Sequence, residues 1–311
     1  MTFRFWGVRG SLPCPASPAE VKAKISTVVH RIRSEDLASP ESRERFLAQL
    51  PPEVFGLAGG NTTCLEVEAD NGHALFADGG TGLRWAGMEQ RLAPCHYHIL
   101  LTHFHWDHLQ GIPFFAPLSN PAAQVTFYSP VPDFEAVVRA QMEPPYFPVT
   151  LASFPARVRF VELGTGPFLV AGTEVRWKTV NHPGSCVSYR FTRRESALVF
   201  STDHELRLED FHPSPEATDF FSGADVLVLD SQYTPGEAVH RADWGHSSSG
   251  LAVDFALDFG ARRLYLFHHE PDHGDSQLEE IGRTAQWYAD HKRPGALTVR
   301  IAREGTKENS R

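Results

Sequence analysis

The chain has 311 residues and a formal net charge of −9, with 41% apolar and 22% charged residues. This is the composition of an ordinary folded protein, which excludes wholesale disorder and a fibrous repeat. The acidic balance also argues against a long surface that tracks nucleic-acid phosphates, because that needs clustered Lys and Arg. No apolar stretch approaches membrane length. The opening Met1-Thr2-Phe3-Arg4-Phe5-Trp6 has no basic region followed by an apolar run, so the expectation is a cytoplasmic protein without a membrane partner. Cys14, Cys64, Cys95 and Cys186 are widely spaced with no C-x-x-C pair, as expected of reduced thiols rather than a zinc ribbon or a disulfide framework.

Taken in chain order, a β-branched and aromatic run predicts a first strand over 3–8. Val21, Ile25, Val28 and Ile32 recur at helical spacing and predict a helix over 20–32, with a second over 40–50 closed by Pro51-Pro52. The segment 17–57 therefore reads as a helical insertion in a single domain spanning 1–311. It could pack on the body as a hairpin, contact a second copy or lid a site. Strands follow over 63–69, 74–77, 97–101 and 125–128, then a helix over 134–141. Further strands are expected over 157–163, 175–180, 187–191, 197–201, 226–229, 264–267 and 297–301, with helices over 248–259 and 276–290. The polar tail 304–311 is expected to fray. So many strands with interspersed helices point to an α/β or α+β fold of two sheets with helices outside them.

The chemistry concentrates in His103-Phe104-His105-Trp106-Asp107-His108. A strand ends at 101–102, so His103 and His105 lie two apart in extended chain and point the same way. Asp107 and His108 follow where a helix begins, leave the backbone in other directions, and can reach a second ion. Further donors stand at strand ends: His182 before Pro183-Gly184, Asp203 after the 197–201 run, and His268 or its neighbour His269 after 264–267. A catalytic site, unlike a closed structural one, keeps a position open for water or substrate.

In order and spacing, Thr102 to His108, His182, Ser201-Thr202-Asp203 and Leu266-Phe267-His268 resemble the metal motifs of the metallo-β-lactamase superfamily. The branch most similar is the one holding ribonuclease Z and bacterial cyclic phosphodiesterases. Gly7-Val8-Arg9-Gly10-Ser11, Gly59-Gly60-Asn61-Thr62, Asp78-Gly79-Gly80-Thr81-Gly82 and Gly245-His246-Ser247-Ser248 add to the likeness, which covers nearly all of the chain outside the helical insertion. The resemblance implies a four-layer αββα sandwich of two mixed β-sheets with helices on both outer faces. It implies two divalent ions, Zn or Mn first and Fe or Co as alternatives. His103, His105 and His182 would hold the first, Asp107, His108 and His268 the second, and Asp203 would bridge them. The Asp78 loop would fix a ligand histidine, or serve only as a turn.

Two such ions can hold a hydroxide at neutral pH and neutralise charge on attacking and leaving oxygens, which suits phosphodiester hydrolysis. His246 is the candidate proton donor, paired with Asp230 where the ribonuclease Z branch carries a glutamate, and Asp107 joins these two among the catalytic residues. No long basic Gly/Pro arm lies between His108 and His182, so a small phosphodiester such as a cyclic nucleotide is favoured over RNA. The alternatives are a thioester or β-lactam hydrolase of the same fold, a ribonuclease Z-like endonuclease, and a metal-binding sensor without turnover. The relatives that the resemblance brings in are commonly homodimers.

Overall fold

A computed structural model describes residues 1–90 and 95–310. The strands are β1 (Thr2–Gly7), β2 (Cys64–Val67), β3 (His73–Ala77), β4 (His96–Leu100), β5 (Gln124–Ser129), β6 (Arg157–Glu162), β7 (Phe168–Val170), β8 (Thr173–Val180), β9 (Cys186–Arg193), β10 (Ser196–Ser201), β11 (Val226–Asp230), β12 (Arg263–Phe267), β13 (Thr298–Ile301) and β14 (Lys307–Asn309). They form two seven-stranded mixed sheets, ordered β14-β1-β2-β3-β4-β5-β6 and β13-β12-β11-β10-β9-β8-β7. In the first sheet β3 to β6 run parallel and β14, β1, β2 and β3 alternate in direction; in the second, β10 to β13 are parallel.

The layering follows from side-chain alternation along the strands. Phe3, Phe5, Leu65, Val67, Leu75 and Leu100 turn inward and meet Tyr189, Phe191, Phe200, Val228 and Phe267 of the second sheet, forming one buried cluster between the sheets. The opposite side chains of the first sheet, Phe76, Tyr97, Ile99, Val125 and Phe127, join Leu83, Phe115 and Val138 beneath the helices on that face. Those of the second, Val199, Leu227, Leu264 and Val299, join Phe255, Leu278 and Ala285. Three apolar interfaces separate four layers, helix, sheet, sheet, helix, and this is the αββα arrangement.

Helices at Pro18–Arg31, Pro40–Ala48 and Pro52–Phe55 occupy the stretch between β1 and β2. Ser17 caps the first with a reciprocal Glu20 hydrogen bond. None of its side chains is fully buried; Val21, Ile25 and Val29 are exposed. Lys24 tethers it, donating to the Gly56 carbonyl at 2.7 Å and to Asp275 at 2.8 Å.

The tail departs from expectation. Instead of fraying, Lys307–Asn309 pairs antiparallel with β1, and the Ser310 N–H donates to the Met1 carbonyl at 2.8 Å. Polar residues suffice there because an edge strand needs only backbone pairing, and β1 would otherwise present an open row of donors and acceptors.

Candidate metal centre

The site lies where the carboxyl ends of parallel strands from both sheets meet, the usual location for ligands in α/β folds. From the first sheet, β3 runs into Asp78 and β4 into Thr102 and His103. From the second, His182 follows β8, Asp203 follows β10, Asp230 ends β11 and His268 follows β12. Asp78, Asp203 and His268 leave their strands with φ of 63°, 51° and 62°. This left-handed turn is unfavourable for a non-glycine residue, and here it aims each side chain at the centre.

Asp203 stands at the middle, 1% exposed. Its Oδ1 is 3.6 Å from Nε2 of both His103 and His182, and its Oδ2 is 3.2 Å from Nε2 of both His108 and His268. The His182 Nε2 also faces His105 Nδ1 at 3.1 Å. Asp107 Oδ2 lies 3.3 Å from His108 Nε2 and 3.2 Å from His268 Nε2, and accepts the Ser11 N–H at 2.8 Å. Three overlapping groups could each hold an ion: His103, His105, His182 and Asp203 on one side, Asp107, His108 and His268 on the other, and Asp203, His246 and His268 beside them.

The imidazoles are held in a tautomer that fits a cation. His108 Nδ1–H donates to Asp78 Oδ2 at 2.8 Å, His182 Nδ1–H to the Gly245 carbonyl at 2.9 Å and His268 Nδ1–H to Gln232 Oε1 at 3.1 Å. Thr102 gives its hydroxyl proton to Asp78 and so accepts from His103 Nδ1–H at 3.0 Å. With the Nδ1 atoms of these four histidines so engaged, their four Nε2 lone pairs converge, and those of His103 and His108 are buried without a hydrogen-bond partner. Buried polar atoms are seldom left unpaired, so an unpaired set of imidazole nitrogens facing carboxylates is the mark of a cation site.

The electrostatics agree. Burial opposes ionisation of Asp203, yet His268, His108 and His103 hold its carboxyl well below the usual range; His108 and His268 do the same for Asp107. Burial and the neighbouring His108 push His103 well down, towards the neutral form a metal needs. For His108, burial is outweighed by Asp203, Asp107 and Asp78, which raise it: three carboxylates converge on a point that calls for positive charge.

Beside the donors, His246 Nδ1–H donates to Asp230 Oδ2 at 2.7 Å, and its ring stacks on His268 at 4.9 Å between centroids. Asp230 is fully buried and its Oδ1 accepts the Ser247 and Gln232 N–H groups. Burial alone would lower the His246 pKa, but the Asp230 charge and hydrogen bond lift it to about 9. The shorter aspartate thus reaches the ring directly. Ser247 is used elsewhere, bridging the Leu206 N–H and the His204 carbonyl, and Ser248 caps the helix Ser249–Asp258.

Of the two candidates after β12, His268 joins the cluster, while His269 turns away to the Ala302 carbonyl at 2.9 Å. Sequence reasoning missed Gln232, which steadies His268 and whose Nε2 donates to Glu270 at 2.6 Å. Gly10 and Gly245 stand in the sequence as ordinary members of the 7–11 and 245–248 strings, and only the fold shows their use. A Cβ on Gly10 would stand 2.4 Å from His268 Nδ1, and one on Gly245 2.3 Å from His182 Nδ1, so both let backbone close on a ligand ring.

No curated protein sequence matches the chain. Among solved structures, it superposes on the metallo-beta-lactamase fold protein YhfI from Bacillus subtilis with a TM-score of 0.65, at 16% identity over 99% of this chain and 98% of that one. A diphosphatase from the PhnP family gives 0.63 and 18% over 99% and 97%, and the short form of human tRNase Z gives 0.61 and 15% over 100% of both chains. At such identities the likeness is one of fold. A family model for the beta-lactamase superfamily domain matches residues 75–269, which hold β4 to β12, the end of β3 and every candidate metal donor. With the two-sheet sandwich and the converging donors, this match places the chain in the metallo-β-lactamase superfamily.

Proposed function

We propose that this protein is a metal-dependent hydrolase of small phosphodiesters, with cyclic nucleotides as the first substrate class to test. One observation carries the reading: the two oxygens of the Asp203 carboxylate face two different histidine groups, so a single buried side chain can serve two cations at once. His103, His105 and His182 would hold one ion and Asp107, His108 and His268 the other. Zn and Mn are the first choices for this mixed imidazole and carboxylate set, and Fe and Co suit it too. Bound divalent ions supply Lewis acidity, which makes water nucleophilic at neutral pH and offsets charge on phosphoryl oxygens.

The chain's own residues do the rest. Asp78, Gly245 and Gln232 keep ligand histidines in the donating tautomer. His246 presents Nε2 to the site while Asp230 holds Nδ1–H, so it is placed to give a proton to the leaving oxygen. The Ser11 N–H fixes the Asp107 carboxylate. A small substrate agrees with the net charge and with the nearby arginines, which are already engaged: Arg207 pairs with Glu205 and Asp243, and Arg241 with Glu270. No helix among the described residues is long and apolar enough to cross a membrane.

The test is hydrolysis of 2′,3′- and 3′,5′-cyclic nucleotides with Zn or Mn, beside thioesters and a chromogenic cephalosporin, for wild type, His105→Ala and His246→Ala. We expect turnover of the diesters alone. His105→Ala should lose bound metal, and His246→Ala should keep it while slowing turnover by about 10²-fold or more. Faster thioester or cephalosporin cleavage would overturn the substrate assignment, metal binding with no turnover at all would favour a sensor, and equal metal loss in both variants would refute the division of roles.

A further inference from the structure

Gln232 steadies His268 through a side-chain amide, and an amide has two ends of nearly the same shape, so its neighbours must decide which end faces the ring. Its Oε1 accepts from His268 Nδ1–H at 3.1 Å while its Nε2 donates to Glu270 Oε2 at 2.6 Å. Turned over, the amide would set its oxygen against the Glu270 carboxylate and aim an N–H at His268 Nδ1. His268 would then have to accept there and carry its proton on Nε2, the atom that lies 3.2 Å from both Asp107 and Asp203. Gln232 is buried, so solvent does not readily replace either partner.

Glu270 is itself anchored. Its backbone carbonyl accepts from the Arg9 guanidinium at 3.1 Å and from the His273 N–H at 3.0 Å. Its other carboxylate oxygen, Oε1, stands 3.3 Å from Arg241 Nη1. The Arg241 guanidinium in turn lies over the Tyr233 ring, 4.7 Å from its centroid, and Tyr233 meets the His246 ring edge to face at 5.9 Å. A carboxylate at 9% exposure is costly unless its oxygens are engaged, and here one faces a charge and the other an amide. A carboxylate paired in this way only accepts.

We infer that Glu270 is a positioning residue of the metal centre: as an obligate acceptor it dictates the orientation of the Gln232 amide, and through it keeps the His268 Nε2 lone pair free for a cation. The inference rests on the two-ion reading of the site. What matters is the acceptor turned towards Gln232, not the ion pair with Arg241, and the two can be separated by substitution.

The experiment is titration of the metal-free protein with Co(II), read by visible absorption and by elemental analysis after dialysis, with melting curves to verify folding. Wild type should take up two ions. Glu270→Gln keeps an oxygen for Gln232 and should bind both ions as wild type does. Glu270→Met, similar in length but without a comparable acceptor, should weaken one ion about tenfold and leave the other unchanged, the lower end of what loss of an outer partner costs. Arg241→Ala breaks the ion pair but spares the acceptor, and should keep both ions. Reversing the pair, Arg241→Glu with Glu270→Lys, restores opposite charges but turns a group that only donates towards Gln232. It should melt above Glu270→Lys alone and still lose the same ion. The inference is overturned if Glu270→Met binds both ions as tightly as wild type, if Glu270→Gln or Arg241→Ala loses as much as Glu270→Met, or if the reversed pair recovers both ions. Wild type that takes up fewer than two ions would refute the two-ion reading and this inference with it, whereas a second ion held equally by every variant would refute the role of Glu270 alone.

Discussion

Asp78→Asn isolates the most consequential support of the metal centre. The carboxylate is fully buried and accepts three hydrogen bonds, from the Thr102 N–H, the Thr102 hydroxyl and His108 Nδ1–H, each at 2.8 Å. Asparagine has nearly the same shape and tolerates the left-handed φ of 63°, so the backbone should hold. Its amide, however, offers one accepting end. With the oxygen towards the Thr102 N–H, the NH₂ faces His108 Nδ1, which must then accept. The imidazole proton moves to Nε2, the atom that faces Asp107 and Asp203. A protonated Nε2 cannot ligate, so the substitution opposes metal binding through a proton 30 residues away in sequence. Loss of an outer partner of a metal ligand typically lowers affinity 10–100-fold, and the enforced tautomer argues for the upper end, about 2–3 kcal/mol. Competition against a chelator of known affinity, with elemental analysis after dialysis, gives the number. Thr102→Val is the comparison: it removes a hydrogen bond to the same carboxylate and strips the His103 Nδ1–H of its acceptor, but it forces no ligand imidazole to carry its proton on Nε2, so it should weaken affinity less than Asp78→Asn. If Asp78→Asn binds both ions as tightly as wild type, the tautomer argument is wrong.

Gly10→Ala should drive the His268 ring off Gln232, since the new Cβ would stand 2.4 Å from Nδ1, and metal content should fall towards one ion per chain while far-ultraviolet dichroism stays the same. Truncation after Thr306 removes β14 and should lower the melting temperature by about 2–4 °C, the effect of 1–2 kcal/mol in a chain of this size; an unchanged transition would show that the edge pairing contributes nothing. Glu304 accepts the Asn61 N–H at 2.6 Å and the Asn61 amide at 2.9 Å, yet burial outweighs these bonds and pushes its pKa up from 4.5 to about 7. Between those values the folded state keeps a proton that the unfolded chain loses, so this group's contribution to stability falls as pH rises through the window and is flat above it. Against Glu304→Gln, wild type should therefore lose up to about 3 kcal/mol from pH 4.5 to 7.5 in denaturant titrations, and parallel curves would refute the assignment.

Much of this was legible because strand and donor signals are local. β-Branched and aromatic runs place the principal strands, and His103 to His108 lie within six residues, so one glance at the spacing implies two directions of approach. What lay hidden depends on neighbours that only the fold supplies. Gln232 carries no motif; it matters because β11 and β12 lie side by side and bring it to His268, 36 residues on. The helix Thr81–Gln90 has one glycine in its first turn and one in its interior, and a poor intrinsic propensity, yet packing requires them: a Cβ on Gly82 would stand 2.5 Å from Trp6 backbone, and one on Gly87 2.6 Å from the Phe115 ring. The periodicity of Val21, Ile25 and Val28 correctly suggests a helix but cannot say which side faces solvent, and Ile25 proves exposed.

The donors at the centre come from both halves of the sandwich, Asp107 and His108 from one sheet and His182, Asp203 and His268 from the other. An ion bound by such a set fastens the two slabs along one rim, and it can be captured only after they have come together. Metal uptake should then report the last step of folding, and free metal should reinforce the assembled state by mass action. Withdrawing it should loosen that rim first, a seam that hydrogen exchange could watch open while the opposite end of the strands stays protected.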